Sequence, residues 1–473
     1  MAAMGCVFRL CRCDSSSHPP VVLQSSWSRP RNIRTGISAS GGKSRQRSFT
    51  FYVNAIFWRN GQRRQLVEPQ ERDFLISNEQ IMEPTIEGTS NVGDASRKIS
   101  ISVVPSISQV SSEDWDACAT GATGHTKLNP FLTHAFLSSL EETGCAVQET
   151  GWLPQHIVAV DQDGTVLGVV PLYVKSHSYG EFVFDHSWAD AYYRFGSSYN
   201  PKLQCCVPFT PVTGQRILVR DTCYKDQIFD KLLIAMKLLT DKFQMSSLHI
   251  TFPTKEEWEK VSQFGFLQRI GMQYHWKNRD YKSFDDFLMD LKQSKRKTIR
   301  QERKKILAQN LRMRRLRGYE IKAHHWDSFY RFYCNTADNK WGRAYLTREF
   351  FHMIGSKLGD HVLLVVAEDG EKLVAGALNL IGGDSLFGRL WGCLSEAYYP
   401  NLHFEACYYQ AIEAAIEWNL STVEAGAQGE HKVQRGYMPV TTYSCHYIPD
   451  KSFKHAIGDF LTRETPQVHI FPY

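Results

Sequence analysis

The densest run of reactive side chains is Glu424-Ala-Gly-Ala-Gln-Gly-Glu-His-Lys-Val-Gln-Arg-Gly436. Making an amide bond requires an activated acyl donor, a deprotonated amine and donors aimed at the developing oxyanion. Glu424, Glu430 and His431 are candidate bases for the amine. Gly426 and Gly429 allow close backbone approach, and Gln428 adds a polar contact for substrate. Lys432 and Arg435 suit a phosphate or a carboxylate. The bland alternative is a surface loop with incidental charges. Loops carry sites disproportionately, and the function density here favours a site.

Three further groups could complete a cleft. Arg389 and Trp391 stand two apart on an expected strand, so both should face one side of the sheet. They would hold an acyl or aromatic group beside an anion, or simply pack together at an edge. His403 opens the next helix. Lys340-Trp341-Gly342-Arg343, between two helices, is a candidate cleft wall or only a helix stop. Separately, residues 292–317 hold twelve Lys or Arg and one acid, Glu302. Lys295, Arg296, Lys297, Arg300 and Arg303 lie on its helical part. Charge of one sign on one element is the footprint of a phosphate-bearing partner, against the alternative of a solvated face.

The elements that must position these groups come in two similar series. Ile99 begins a strand, helices follow near 114–118 and 130–142, and Ile157–Val160 and Val166–Tyr173 form a hairpin around Asp161-Gln-Asp-Gly164. A long helix at 224–243 feeds a strand at 247–252, with another strand at 272–276. Residues 177–222 show little regularity. In the second series a long helix spans 283–310, helices cover 325–338 and 347–358, and a hairpin turns at Glu368-Asp-Gly-Glu371. A strand at 385–392, a helix at 403–418 and a strand at 422–426 follow. The helix places Phe404, Cys407, Tyr408, Ala411, Ile412 and Ala415 on its core stripe. Val158-Ala-Val-Asp-Gln-Asp-Gly parallels Val366-Ala-Glu-Asp-Gly. Strand, two helices, antiparallel meander, helix, strand is the order of the acyl-CoA N-acyltransferase (GNAT) fold. The expected architecture is therefore a mixed-sheet α/β (α+β) chain with two GNAT-like domains in tandem, 99–281 and 282–465, and a tail at 466–473.

What precedes residue 99 reads differently. The net charge of +6 hides eleven Lys or Arg and one acid in residues 1–67, so the rest of the chain is −4. An Arg- and Ser-rich, acid-poor start is the composition of a transit peptide, with a plastid as first expectation and a mitochondrion as second. Residues 68–98, with seven acids and three bases, read as a solvated acidic linker. No apolar run is long enough for a membrane-spanning helix. Twelve cysteines without Cys-x-x-Cys spacing point to reduced thiols and to no metal site.

Several runs resemble the FemAB-like acyltransferase family. They are Tyr274-His-Trp-Lys-Asn-Arg-Asp-Tyr-Lys-Ser-Phe-Asp-Asp-Phe-Leu, Lys295-Arg-Lys-Thr-Ile-Arg-Gln-Glu-Arg, Trp341-Gly-Arg with Tyr345-Leu-Thr, Leu386-Phe-Gly-Arg-Leu-Trp-Gly, His403-Phe-Glu-Ala-Cys-Tyr-Tyr and Glu424-Ala-Gly-Ala-Gln-Gly-Glu-His-Lys. The match spans roughly residues 100–465. The resemblance implies tandem acyltransferase-like domains and a link to peptidoglycan biosynthesis or recognition. Related proteins move aminoacyl groups from charged tRNA.

One feature common in acyl-CoA enzymes is missing. Cys393-Leu-Ser-Glu-Ala-Tyr-Tyr-Pro-Asn-Leu-His403 has no glycine to cradle a pyrophosphate, and Pro211-Val-Thr-Gly-Gln-Arg216 is a weak substitute. This absence counts against acyl-CoA, and the donors expected are acyl-CoA or an aminoacyl-tRNA. The leading expectation is an amide-forming N-acyltransferase acting on an amine in an organelle. The alternatives are a non-catalytic module binding a glycan or a peptide-like anion, and an RNA-binding protein using the basic helix.

Overall fold

The computed structural model describes residues 99–124, 127–340, 344–396, 399–426 and 429–469. The expected transit peptide and acidic linker lie outside them.

In the first half, β1 (Ser100–Val104) precedes helices Ser112–Thr123 and His134–Glu142. Ser111 and Thr133 start these helices by accepting the amides of Asp114 and Phe136. After the short β2 (Trp152–Pro154) comes the hairpin of β3 (His156–Val160) and β4 (Val166–Val170). Asp161 closes its turn by accepting the amides of Asp163 and Thr165 at 3.0 and 2.9 Å. Pro171 then offers no N–H to a ladder, and the chain leaves this sheet for β5 (Leu172–Lys175). Helix His186–Arg194, β6 (Lys202–Cys205), β7 (Leu218–Val219), helix Lys225–Lys242, β8 (Leu248–Thr251), helix Lys255–Ser262 and β9 (Leu267–Lys277) complete the half.

The second half repeats the plan. Helices Phe284–Asp290 and Gln293–Ala308 lead to β10 (Leu311–Arg317). Helices Ala323–Lys340 and Arg348–Leu358 precede the hairpin of β11 (Val362–Asp369) and β12 (Lys372–Gly382), then β13 (Ser385–Cys393). A helical segment follows over 402–417, then β14 (Thr422–Glu424), a 3₁₀ segment Glu430–Arg435, β15 (Met438–Tyr447) and helix Lys451–His469. The two hairpins even share a register shift at the matching place, between Ala159 and Val160 and between Ala367 and Glu368.

β1, β3, β4 and β7 form a small sheet. The large sheet runs β10-β11-β12-β13-β14-β9-β15-β8-β6-β5-β2. Each half contains one parallel pair, β6 with β8 and β13 with β14. The halves are also laced together. β9, from the first half, pairs with β14 of the second; β15, from the end of the second, pairs with β8 of the first. β9 and β15 then pair with each other from Leu267–His446 to His275–Met438. A duplicated GNAT-like architecture is therefore present, with strands of both halves joined in the larger sheet.

Three expectations need correction. The helix expected over 283–310 is broken at Leu291, which is extended (φ −87°, ψ 154°). No breaker residue sits there; Leu291 instead packs on the aromatic core around Phe287 and Tyr409, so tertiary packing overrides propensity. The stretch 177–222 holds helix His186–Arg194, β6 and β7. Residues 438–469 hold β15 and a long helix that runs into the expected tail.

The halves also meet helix on helix. Helix His134–Glu142 lies against Arg348–Leu358, with the Phe136 and Phe350 rings 5.9 Å apart and Lys357 Nζ donating to Glu142 at 2.7 Å. Each buried phenylalanine in this seam contributes roughly 2–3 kcal/mol of apolar transfer.

Candidate functional site

β13 and β14 pair only through Ser385–Phe387 and Thr422–Glu424. Among the described residues no strand flanks that side of β13 beyond Phe387, so the two strands part and leave a gap.

At this point β13 carries an extra residue. Leu378 faces Leu390 and Asn379 faces Gly388, which leaves Arg389 unopposed. A bulge of this kind breaks the alternation of faces and re-aims a side chain. Arg389 and Leu390 both line a slot on one face of the sheet, with the Arg389 guanidinium 5.1 Å from the Phe131 ring. Trp391 turns to the other face, its ring 5.3 Å from that of His403. The shared face expected for Arg389 and Trp391 does not exist, because the bulge inserts one residue into the count.

On the slot side, Arg389 Nη2 lies 2.6 Å from Glu424 Oε2, with the two side chains 7% and 6% exposed. Thr213, from the first half, donates to Glu424 Oε1 at 2.7 Å. His275 Nε2 is 3.9 Å from the same oxygen, and burial lowers the affinity of that imidazole for a proton. Glu424 is thus an interior anchor joining both halves, already neutralised by a guanidinium. Both of its oxygens are engaged by protein donors, so it is not presented to an incoming amine.

On the other face, the Tyr408 hydroxyl and His431 Nε2 are 3.0 Å apart. The His403 ring lies 5.4 Å from that of Tyr408 and 6.2 Å from that of His431. His403, His431 and Trp391 are each partly exposed, so this cluster reaches solvent. Two local devices build it. Gly429 has φ 110°, and a Cβ there would stand 2.3 Å from the His431 ring, so the imidazole needs a glycine beneath it. The segment 402–417 contains a π-helical turn at Glu405–Tyr409. With that turn, Tyr408 reaches His431 while Tyr409 bonds Glu302.

Lys432 and Arg435 are each 4% exposed and act inward. Lys432 Nζ donates to the Ala425 and Gly426 carbonyls at 2.5 and 3.1 Å, and burial pulls its ammonium down to about 8. Arg435 pairs with Glu302 at 2.6 Å, donates to the His431 carbonyl at 2.8 Å and stacks 3.4 Å from the Phe404 ring centre. Both side chains hold the loop that carries His431, and neither is placed to meet a substrate anion. Gly426, beside them, has φ 72° and open space around its Cα. Trp341, Arg343 and Gln428 lie outside the described residues, as do the side chains of Lys340 and Glu430.

The basic helix divides in the same way. Arg303 makes 2.9 and 2.5 Å ion pairs to Glu405 and Glu413, and Lys295 donates to the Val433 carbonyl at 3.1 Å. Arg296 reaches the Met289 carbonyl at 3.4 Å, and Arg300 pairs with Asp285 at 3.2 Å on the surface. Arg303 in particular is spent on the interior. Lys297, Lys304 and Lys305 are exposed on the outer side.

The first half has an equivalent parallel pair, but the end of β8 is plugged. Arg216 is fully buried, its Nε donates to the Thr251 carbonyl at 2.8 Å, and its backbone amide is held by Glu257 at 2.9 Å. The Gly214 amide is bonded to the Phe252 carbonyl. The segment 211–216 is therefore wrapped around its own arginine and offers no cradle for pyrophosphate. Among the described residues no group of three His, Cys, Asp or Glu could hold a metal ion, and no helix is long and apolar enough to cross a membrane.

Residue patterning alone missed Tyr408 and Thr213. Tyr408 falls on the buried stripe of its helix, and only its hydroxyl marks it. Thr213 is 211 residues from the carboxylate it serves.

This duplicated architecture agrees with a family comparison. The model of the FemAB-like family, described as peptidoglycan biosynthesis and recognition, matches residues 106–471. The chain belongs to the FemAB-like family. Among solved structures it is similar to FemX at 12% identity and TM-score 0.46, covering 74% of this chain and 98% of that one. It is similar to L-PGS from Bacillus licheniformis at 10% identity and TM-score 0.44, covering 75% and 97%. It is also similar to a tandem GNAT protein from the clavulanic acid biosynthesis pathway at 8% identity and TM-score 0.43, covering 74% and 98%. No curated protein matches the chain. In this FemAB-like chain the open gap belongs to the second half.

Proposed function

We propose that this FemAB-like chain is an acyl or aminoacyl transferase that forms an amide at the gap between β13 and β14. The observation that carries the reading is the partly exposed His431, bonded to the buried Tyr408 hydroxyl, set against the plugged counterpart in the first half. The amine nitrogen attacks the donor's ester or thioester carbonyl, the C–N bond forms, and the C–O or C–S bond breaks. His431 takes the proton that the amine loses and returns it to the departing hydroxyl or thiol. Exposed Lys297, Lys304 and Lys305 lie on the helix that packs against the His431 loop, and they suit a donor carrying phosphates, either coenzyme A or tRNA.

The test is turnover of labelled acyl-CoA and of charged tRNA by the full chain with a pool of amines. His431→Ala should lower kcat by about 10²–10⁴-fold while the circular dichroism spectrum stays that of the folded chain. Absence of turnover with either donor, or an undiminished His431→Ala, would overturn the reading in favour of a binding module. The N-terminal composition supports an organelle as the site of action, a plastid first. A reporter fused after residue 98 that stays in the cytosol would sink that part.

A further inference from the structure

Residues 292–317 carry twelve cations and a single acid, Glu302. That acid does not join its neighbours on the outer face. Its side chain is 13% exposed, and that of its partner Arg435 is 4% exposed. Glu302, Arg435 and Tyr409 form a closed triangle. Arg435 Nη2 donates to Glu302 Oε1 at 2.6 Å, and Arg435 Nε donates to the Tyr409 hydroxyl at 3.1 Å. That hydroxyl donates in turn to Glu302 Oε2. The three corners come from helix Gln293–Ala308, the 3₁₀ segment Glu430–Arg435 and the π-helical turn Glu405–Tyr409.

The remaining arm of Arg435 leads to the site. Its Nη1 donates to the His431 carbonyl at 2.8 Å. The same π-helical turn supplies Tyr408, whose hydroxyl lies 3.0 Å from His431 Nε2. His431 is thus tied at its imidazole through Tyr408 and at its main chain through the triangle that includes Tyr409. A buried ion pair contributes little net stability once its desolvation is counted. Its charge-assisted, directional bonds do fix geometry.

The charges around His431 give Glu302 a second effect. Lys432 and Arg435 lie on the histidine's own segment, and Lys295 reaches that segment from the basic helix. Lys432 and Lys295 donate to carbonyl oxygens. Arg303 is taken by Glu405 and Glu413, and across the sheet Arg389 is taken by Glu424. The helical segment over 402–417 adds His403, Cys407 and the two tyrosines. Among the described residues, Glu302 is the one carboxylate paired with a cation of the His431 segment. Without it, uncompensated cations would oppose a second positive charge on the imidazole.

We propose that Glu302 is a positioning residue for His431. It holds Arg435 so that Arg435 fixes the His431 main chain, and its charge keeps the imidazole able to accept a proton beside those cations. The role rests on the reading of His431 as the base of the transfer. Its effect on the imidazole is measurable without turnover.

The experiment is an NMR titration of the histidine-labelled full chain, with the His431 signal assigned by its loss in His431→Ala. Glu302→Gln keeps the size and an acceptor oxygen but removes the charge. It should lower the His431 titration midpoint by at least ~0.5 unit. The acid limb of kcat/KM should move down with it. Glu302→Asp keeps the charge but withdraws it by one methylene. It should leave the midpoint near that of the natural chain and lower kcat by ~10–100-fold. Should Glu302→Gln fail to fold, the pair Glu302→Leu with Arg435→Met removes both charges together. That pair should fold, keep the midpoint and lose kcat as Glu302→Asp does. A midpoint unmoved by Glu302→Gln, or moved equally by Glu302→Asp, would overturn the charge effect. Undiminished kcat in Glu302→Asp would overturn the positioning role. A midpoint shift in a chain without turnover would support the effect of Glu302 and refute the transferase reading. Turnover that needs His431 but is indifferent to both Glu302 variants would do the reverse.

Discussion

Arg389 and Glu424 show how one buried pair serves structure and site together. Removing one partner of a buried ion pair costs ~3–5 kcal/mol, whereas replacing both with apolar residues is often neutral. Glu424→Leu should therefore lower stability in urea melts by about that amount, and Arg389→Met with Glu424→Leu should recover most of it. A double variant no better than the single would show that the anchor works through Thr213 instead. A second buried group has a pH signature. Burial pulls the Lys175 ammonium from its ordinary 10.5 down to about 7, an effect that Glu181 partly offsets. The folded chain thus holds this proton less well than the unfolded chain does. The cost is full below the folded value and fades as pH rises toward 10.5. Burial also pushes Glu181 up to about 7, so without Lys175 its ionisation becomes harder as pH rises. Both effects have one sign. Lys175→Met should gain most over the natural chain at about pH 6 and least at about pH 9.5. A difference independent of pH would refute this.

At the scale of elements, the basic helix has an inner and an outer function. Arg303→Met strands Glu405 and Glu413 and should lower the melting temperature. Changing Lys297, Lys304 and Lys305 to Ala should leave melting alone, weaken tRNA binding and reduce the slope of log K against log salt by about two to three. An unchanged slope would exclude this face from nucleic-acid contact. The elements also show what a sequence discloses. Both hairpins were legible because Asp-Gly turns carry their own signal in place. The helix at 225–242 was legible from its apolar periodicity. β15 was not, because its partners β8 and β9 lie some 160–200 residues upstream and its burial pattern is irregular. The bulge at Arg389 was hidden for another reason. Alternation counts residues, and nothing in Gly388-Arg389-Leu390 announces that one of them goes uncounted. Of the candidate site, His431 and His403 came from residue type and spacing. The inward roles of Lys432, Arg435 and Arg303 depend on acceptors and carboxylates set by tertiary packing, which residue type does not reveal.

For the whole molecule, the exchange of β9 and β15 makes the two halves interdependent. A chain ending at residue 437 lacks the strand that covers β8 and flanks β9, leaving open edges of the kind that invite aggregation. It should be insoluble or unfolded by circular dichroism. Adding residues 438–469 back as a separate peptide should restore soluble protein. A soluble, cooperatively melting 99–437 fragment would refute this interdependence.

That lacing also orders events in time. β9 ends at Lys277 and β15 begins at Met438, so a ribosome must add roughly 160 residues after the first half is complete before its sheet can close. At about 5–20 residues per second that is on the order of 8–30 s. Throughout that interval the nascent first half has an unfilled place beside β8.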